Sequence, residues 1–150
     1  VFSRDWQQKM AEVLRLLGSE HAMVVHSDGL DEIRLDAPTH VVELKDDTIT
    51  EYDISPADLG LEPRTDDDLT GIVANSAESS LALVRQSLND DSSAAADIVA
   101  LNAGAAIYVS GVANSLLNGV EMAQDAISSG QAKERLAELV RITSLMSESS

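Results

Sequence analysis

The sequence predicts an α/β protein with a short strand, a β-hairpin and four or five helices, forming the carboxyl-terminal part of a larger α/β domain. Three observations carry this. Residues 22–26 are a short apolar run without polar alternation that follows a helical stretch and Gly18, as expected of a strand covered on both faces in a parallel sheet. Residues 39–45 and 48–54 are β-prone segments on either side of Asp46-Asp47, and from about residue 77 onward the pattern is helical. A parallel sheet needs neighbouring strands joined by crossovers, and residues 22–26 find no parallel partner in the chain. The chain also begins at Val1 where a start methionine would stand, so an upstream part is expected.

Trp6, Met10, Val13, Leu14 and Leu17 recur at i, i+4, i+7, i+8 and i+11. That apolar stripe predicts a helix over residues 5–17, with Ser3 capping its start and Gly18 its end. Asp46-Asp47 reads as a hairpin turn, because Asp tolerates the positive φ that tight turns need. Ser55-Pro56 and Glu62-Pro63 enclose Gly60, and prolines at that density argue against regular structure between them. Residues 77–88 predict a helix with Leu81, Val84 and Leu88 on one face, closed by Asn89-Asp90-Asp91. Residues 94–109 are apolar nearly all round, so that helix belongs in the middle of a layer. Residues 120–129 end at Gly130, and Ala132, Leu136, Leu139, Val140 and Thr143 define one face of a last helix. The serine-rich tail, residues 147–150, should fray.

Ten Lys plus Arg against 26 Asp plus Glu leave a net charge of −16, which repels nucleic acids and anionic membrane surfaces. No cysteine is present, so thiolate metal sites, disulfides and thiol nucleophiles are excluded. No secretory signal opens the chain, and a cytoplasmic protein is expected. The longest uncharged run, residues 98–120, is long enough to test as a membrane span. It contains Asn102, Asn114 and Asn118, three glycines and two serines, and its flanking charges are Asp97 and Glu121. That content predicts a buried helix pair instead.

Motifs for a nucleophile elbow, a dinucleotide fingerprint and a phosphate loop are absent. His21, His26 and His40 lack metal-ligand spacing and read as structural. Asp66, Asp68, Thr70 and Gly71 occupy the opening positions of a calcium loop, but Ala77 stands where a bidentate Glu is required. Asp66–Asp68, Asp90-Asp91 and Asp46-Asp47 are therefore solvated acidic turns. Asp28-Gly29-Leu30-Asp31-Glu32 differs by place, since it follows directly on the carboxyl end of the first strand, where ligands bind in open α/β sheets. Its adjacent carboxylates offer hard oxygen ligands of the kind Mg²⁺ takes, and equally suit a solvated turn or helix cap.

Val24-Val25-His26-Ser27-Asp28-Gly29-Leu30-Asp31-Glu32, followed by Ala37-Pro38-Thr39 and Val42-Glu43-Leu44, resembles the carboxyl-terminal half of anthranilate phosphoribosyltransferases. Ile49-Thr50-Glu51-Tyr52, Pro56-Ala57-Asp58-Leu59-Gly60-Leu61, Leu101-Asn102-Ala103 and Ile127-Ser128-Ser129-Gly130 extend the match in order along essentially the whole chain. The resemblance implies a nucleoside-phosphorylase-like fold and an enzyme, homodimeric and cytoplasmic, that moves the phosphoribosyl group of phosphoribosyl pyrophosphate to anthranilate in tryptophan biosynthesis. It further implies that Asp31 and Glu32 are the acidic pair that coordinates Mg²⁺. No catalytic acid, base or nucleophile is assigned by it.

The family's glycine-rich pyrophosphate loop, its Lys-His loop, its anthranilate-contacting arginine and most of its small helical domain lie upstream of the matched stretch, so the chain alone is expected to be inactive. Thr70-Gly71-Ile72-Val73-Ala74-Asn75-Ser76-Ala77 departs from the family's Gly-Gly pattern, and no role is carried to it. Acceptor contacts lie outside the chain, so a related phosphoribosyltransferase or a pyrimidine nucleoside phosphorylase remains an alternative. So does a non-catalytic acidic interaction module on the same scaffold.

Overall fold

In the computed structural model, residues 1–65, 69–89 and 93–148 are described. The chain opens with a 3₁₀ turn (Arg4–Trp6) running into α1 (Gln7–Leu16), then β1 (His21–His26), β2 (Thr39–Lys45) and β3 (Thr48–Ile54). After a 3₁₀ turn at Pro56–Leu59 come α2 (Ala77–Ser87), α3 (Ala94–Val109), α4 (Leu116–Ser128) and α5 (Gln131–Glu148). Ser3 caps the opening turn and Ser76, Ser93 and Ser115 accept from backbone N–H groups at the starts of α2, α3 and α4, supplying acceptors for donors that a helix start leaves unpaired.

The three strands form one sheet in the order β1-β2-β3, antiparallel throughout. This corrects the parallel reading of residues 22–26: β1 pairs with β2 with Val24 opposite Val42 and Val25 opposite Val41. The absence of polar alternation has a different cause. Val24 and Val42 pack with Ala11 of α1 on one face of the sheet, whereas Met23, Val25 and Val41 meet the core on the other. Helices on both faces make an apolar run favourable whichever way the neighbouring strand points. Apart from Val24, β1 is only half-buried. Asp46 and Asp47 adopt φ of 49° and 63°, the left-handed pair that a two-residue hairpin turn requires.

The main core joins Ile33, Leu35, Val41, Ile54, Leu59, Leu61, Leu101 and Val120. Its helical side is the α3–α4 pair, the helix pair that the uncharged run foretold. A Cβ on Gly104 would lie 2.6 Å from Val120 Cα, and one on Gly119 would collide with the Gly104 carbonyl. The two backbones therefore touch where they cross. Val120 lies inside α4, which starts at Leu116 behind the Ser115 cap, earlier than its hydrophobic pattern indicated.

Several apolar stripes do not lie against the core. On α1, Trp6, Met10, Val13 and Leu17 are exposed, Leu17 by 77%, and the buried residues are Gln7 and Ala11. Gln7 is drawn inward because its amide donates to the Val24 and His40 carbonyls at 2.7 and 2.9 Å and accepts from His40 Nδ1 at 2.7 Å. On α2, Leu81 and Val84 are exposed, Leu88 is half-buried, and Ser87 is buried with Leu83 half-buried beside it. On α5, Leu139 and Val140 are exposed while Ala132 reaches the α3–α4 pair. Pro56–Leu59 forms a 3₁₀ turn ended by Gly60 at φ 75°, more regular than the proline density suggested. α5 extends to Glu148. Residues 66–68, 90–92 and 149–150, with the acidic turns assigned there, lie outside the described residues.

Candidate functional site

At the carboxyl end of β1 the chain reverses sharply. Ser27 and Leu30 exchange two backbone hydrogen bonds of 3.0 Å, with Asp28 at φ 42° and Gly29 at φ 97° between them. Asp tolerates that geometry and Gly adopts it freely. Asp31 and Glu32 follow at once and are both exposed.

The backbone that carries them is tied at consecutive residues. Ser27 Oγ donates to the Glu32 carbonyl oxygen at 2.9 Å and is hydrogen-bonded to Thr39 Oγ1 at 2.7 Å. Ile33 N–H donates to Asn102 Oδ1 at 2.9 Å, and Asn102 Nδ2 donates back to the Ile33 carbonyl at 3.0 Å. Arg34 N–H donates to Thr39 Oγ1 at 3.2 Å. The Arg34 guanidinium forks onto Asp36 and also donates to the Ser27 carbonyl at 3.3 Å. The bonds from Arg34, more than the partial burial that opposes them, hold the Asp36 carboxyl below its ordinary value. Ser27, Ile33, Leu35 and Thr39 are all buried. The acidic pair is thus an exposed tip on a buried, fully tied base.

Among the described residues no side chain pairs with either the Asp31 or the Glu32 carboxylate, and no group of three His, Asp or Glu stands close enough to enclose a metal ion. Two free, adjacent carboxylates are a donor set that suits Mg²⁺, which keeps several waters and shares its remaining positions with substrate phosphates. Glu32 also borders an open cavity of about 220 Å³ walled by Ile72, Leu83, Ser87, Ala95 and Ile98.

The histidines are structural, as expected. His26 Nδ1 is 2.7 Å from the Val1 carbonyl oxygen, His40 binds Gln7, and His21 Nε2 is 2.7 Å from Glu43 Oε1. Glu43 itself is the polar centre that sequence reasoning passed over. It is buried on β2, accepting from Tyr52 Oη at 2.7 Å and Tyr108 Oη at 2.8 Å. Burial pushes its carboxyl up, and the hydrogen bonds from Tyr52, His21 and Tyr108 outweigh this and hold it below its ordinary value. Burial and then the Glu43 contact raise both tyrosines. Every ligand of Glu43 is a residue of the chain, so the cluster fastens α3 to the sheet. A carboxylate between Val42 and Leu44 was the available signal, since a buried strand tolerates one only with partners. Likewise Arg64 Nε donates to Asp97 Oδ2 at 2.9 Å, tying the loop before α2 to the first turn of α3.

The family model described as the a/b domain of a glycosyl transferase family matches residues 1–133. The chain belongs to that family. Among curated relatives in the glycosyl transferase family, it is 49% identical over 153 aligned residues to the anthranilate phosphoribosyltransferase of Stutzerimonas stutzeri, covering 99% of this chain and 43% of that protein. The crystal structure of anthranilate phosphoribosyltransferase from Thermus thermophilus is similar at 35% identity and a TM-score of 0.83, with 94% of this chain and 41% of that one covered. The Saccharomyces cerevisiae enzyme in complex with PRPP and Mg shares the fold at 23% identity and a TM-score of 0.75, over 91% of this chain and 39% of that one. The chain spans about 43% of the length of the curated relatives it matches. The mixed α/β fold and the family resemblance read from the sequence both hold, and no described helix is long and apolar enough to cross a membrane.

Proposed function

We propose that the complete protein is an anthranilate phosphoribosyltransferase, and that residues 1–150 are the carboxyl-terminal portion of its α/β domain. The enzyme would transfer the phosphoribosyl group of phosphoribosyl pyrophosphate to the amine of anthranilate in tryptophan biosynthesis, as a cytoplasmic homodimer. The observation that carries this reading is the 49% identity to a relative of that name along 99% of the chain.

Asp31 and Glu32 are the residues proposed to hold Mg²⁺. Bound there, the cation supplies neutralisation of the negative charge that grows on pyrophosphate as its bond to the ribose breaks. The chain's own part is to present two carboxylates at a fixed place without consuming them in internal ion pairs. Neither carboxylate moves a proton in this scheme. Their exposure serves it, because the remaining metal positions must be open to water and to phosphate oxygens.

The test is a double variant of the complete protein, Asp31→Asn with Glu32→Gln, which keeps shape and removes both charges. Turnover should fall about a hundredfold or more, in line with the several kcal/mol that metal charge stabilisation supplies, while the melting temperature stays close to the parent's. Near-normal turnover with unchanged Mg²⁺ dependence would return the pair to a solvated turn. The 150-residue chain by itself should give no product above background, since metal, pyrophosphate and amine must be positioned together.

A further inference from the structure

We infer that Asn102 is a positioning residue for the acidic turn, setting the place of Asp31 and Glu32 from the helical layer through Ile33, 69 residues before it; the inference rests on the metal-binding reading of that pair. Asn102 sits in the middle of α3, among Leu101, Ala103 and Gly104. Both N–H groups of its carboxamide donate and its oxygen accepts. Oδ1 accepts from Ile33 N–H at 2.9 Å, and Nδ2 donates to the carbonyls of Ile33 and of Ile98, each at 3.0 Å. A carboxamide has the same donor and acceptor as a peptide group, so Asn102 pairs with Ile33 as a neighbouring strand would.

The result is directional. The Ile33 side chain is 2% exposed and packed in the main core beside Leu101, while both polar atoms of its backbone are held by the next residue of α3. Chain direction at Ile33 is therefore fixed, and with it the exit of Glu32 toward solvent. The other ties of the turn, from Ser27 and Thr39, start in or next to the sheet. Asn102 alone among them starts from the helical layer that also walls the cavity bordered by Glu32, through Ile98. Supporting bonds of this kind typically change metal affinity or activity by roughly 10–100-fold when removed.

The experiment uses the complete protein and Mn²⁺ as a paramagnetic probe, titrated by electron paramagnetic resonance in the presence of inorganic pyrophosphate. Four variants are compared with the parent: Asn102→Ala, Asn102→Asp, the Asp31→Asn/Glu32→Gln pair, and Ile127→Ala, which opens the α3–α4 contact away from the turn. Asn102→Asp keeps an acceptor for Ile33 N–H but turns an oxygen toward two carbonyls, so it tests the donor half of the contact in a chain of nearly unchanged shape. Both Asn102 variants should need at least about tenfold more Mn²⁺ for half-saturation, with turnover largely restored at high metal, whereas Ile127→Ala should lower the melting temperature without moving the titration. A parent-like titration in both Asn102 variants, alongside a lost one in the Asp31/Glu32 pair, overturns the inference and leaves the metal reading standing. An equal shift in Ile127→Ala overturns it too, as general loosening. A parent-like titration in the Asp31/Glu32 pair overturns the metal reading and the inference together.

Discussion

The two faces of the sheet are fastened by different means. Toward α3 and α4, contact is dominated by large apolar side chains, with Leu101 and Val120 fully buried against Val41 and Ile54. Toward α1, the apolar contact is small, built on Ala11, Val24 and Val42. There the helix is held largely by a polar hook: the Gln7 amide reaches two strand carbonyls and pairs with the His40 ring. Apolar burial scales with area and tolerates small displacements, whereas a buried hydrogen bond is modest when made and costly when one partner is lost. The helical side should therefore resist single substitutions in proportion to volume removed, and the α1 side should respond to the loss of one amide.

Substitutions can break this contrast or sharpen it, and urea unfolding is the measurement for each. Leu101→Ala should cost about 3 to 4 kcal/mol, the usual range for emptying a fully buried leucine site. Gly104→Ala should cost about 3 kcal/mol, because the added Cβ meets the Val120 backbone 2.6 Å away and one helix must move. Gln7→Leu, nearly equal in bulk, should cost about 2 kcal/mol by removing the bonds to the Val24 and His40 carbonyls and taking the acceptor from His40 Nδ1. A silent Gln7→Leu would show that area alone holds α1, and the contrast would be lost.

Glu43→Gln should cost about 1.5 kcal/mol near neutral pH, since an amide cannot accept from both tyrosines and His21 as a carboxylate does. Its pH dependence follows from the sign of the shift. The Glu43 carboxyl lies below its ordinary 4.5 in the folded protein, so its contribution is complete above that pH and is lost as pH falls through the folded value. The variant should accordingly lose less stability than the parent on acidification below about pH 4.5. A parallel acid profile would remove Glu43 from the account. The smallest effect belongs to Val13→Ser on the exposed stripe of α1, which should stay within about 0.5 kcal/mol.

Legibility from sequence tracks how local the determining chemistry is. Asp46-Asp47 declares its turn through the conformations that Asp accepts, and the apolar stretch of residues 94–109 coincides with α3. The direction of β1 was hidden, because a run of apolar residues covered on two sides looks alike in parallel and antiparallel sheets. The inner face of α1 was hidden for a related reason: five apolar residues at helical spacing outweighed Gln7, whose partners are backbone carbonyls on two strands. At the acidic turn, the Asp28-Gly29 reversal was readable and the metal role proposed for Asp31 and Glu32 came from family resemblance. Asn102 was visible as a polar residue counted against a membrane span and as part of the Leu101-Asn102-Ala103 match, and nothing local connects it to Ile33.

The backbone contact at Gly104 and Gly119 has a mechanical consequence. Where two helices touch through their main chains, few side chains stand between them to change rotamer and absorb motion, so α3 and α4 behave as one stiff beam. Asn102 and Tyr108 project from that beam six residues apart, about 9 Å of helix, one gripping the backbone beneath the acidic turn and the other gripping Glu43 on β2. A displacement that lifts the beam at one grip loads the other. The acidic turn and the centre of the sheet thus share one support in the helical layer, beside the ties that Ser27 and Thr39 give the turn from the sheet.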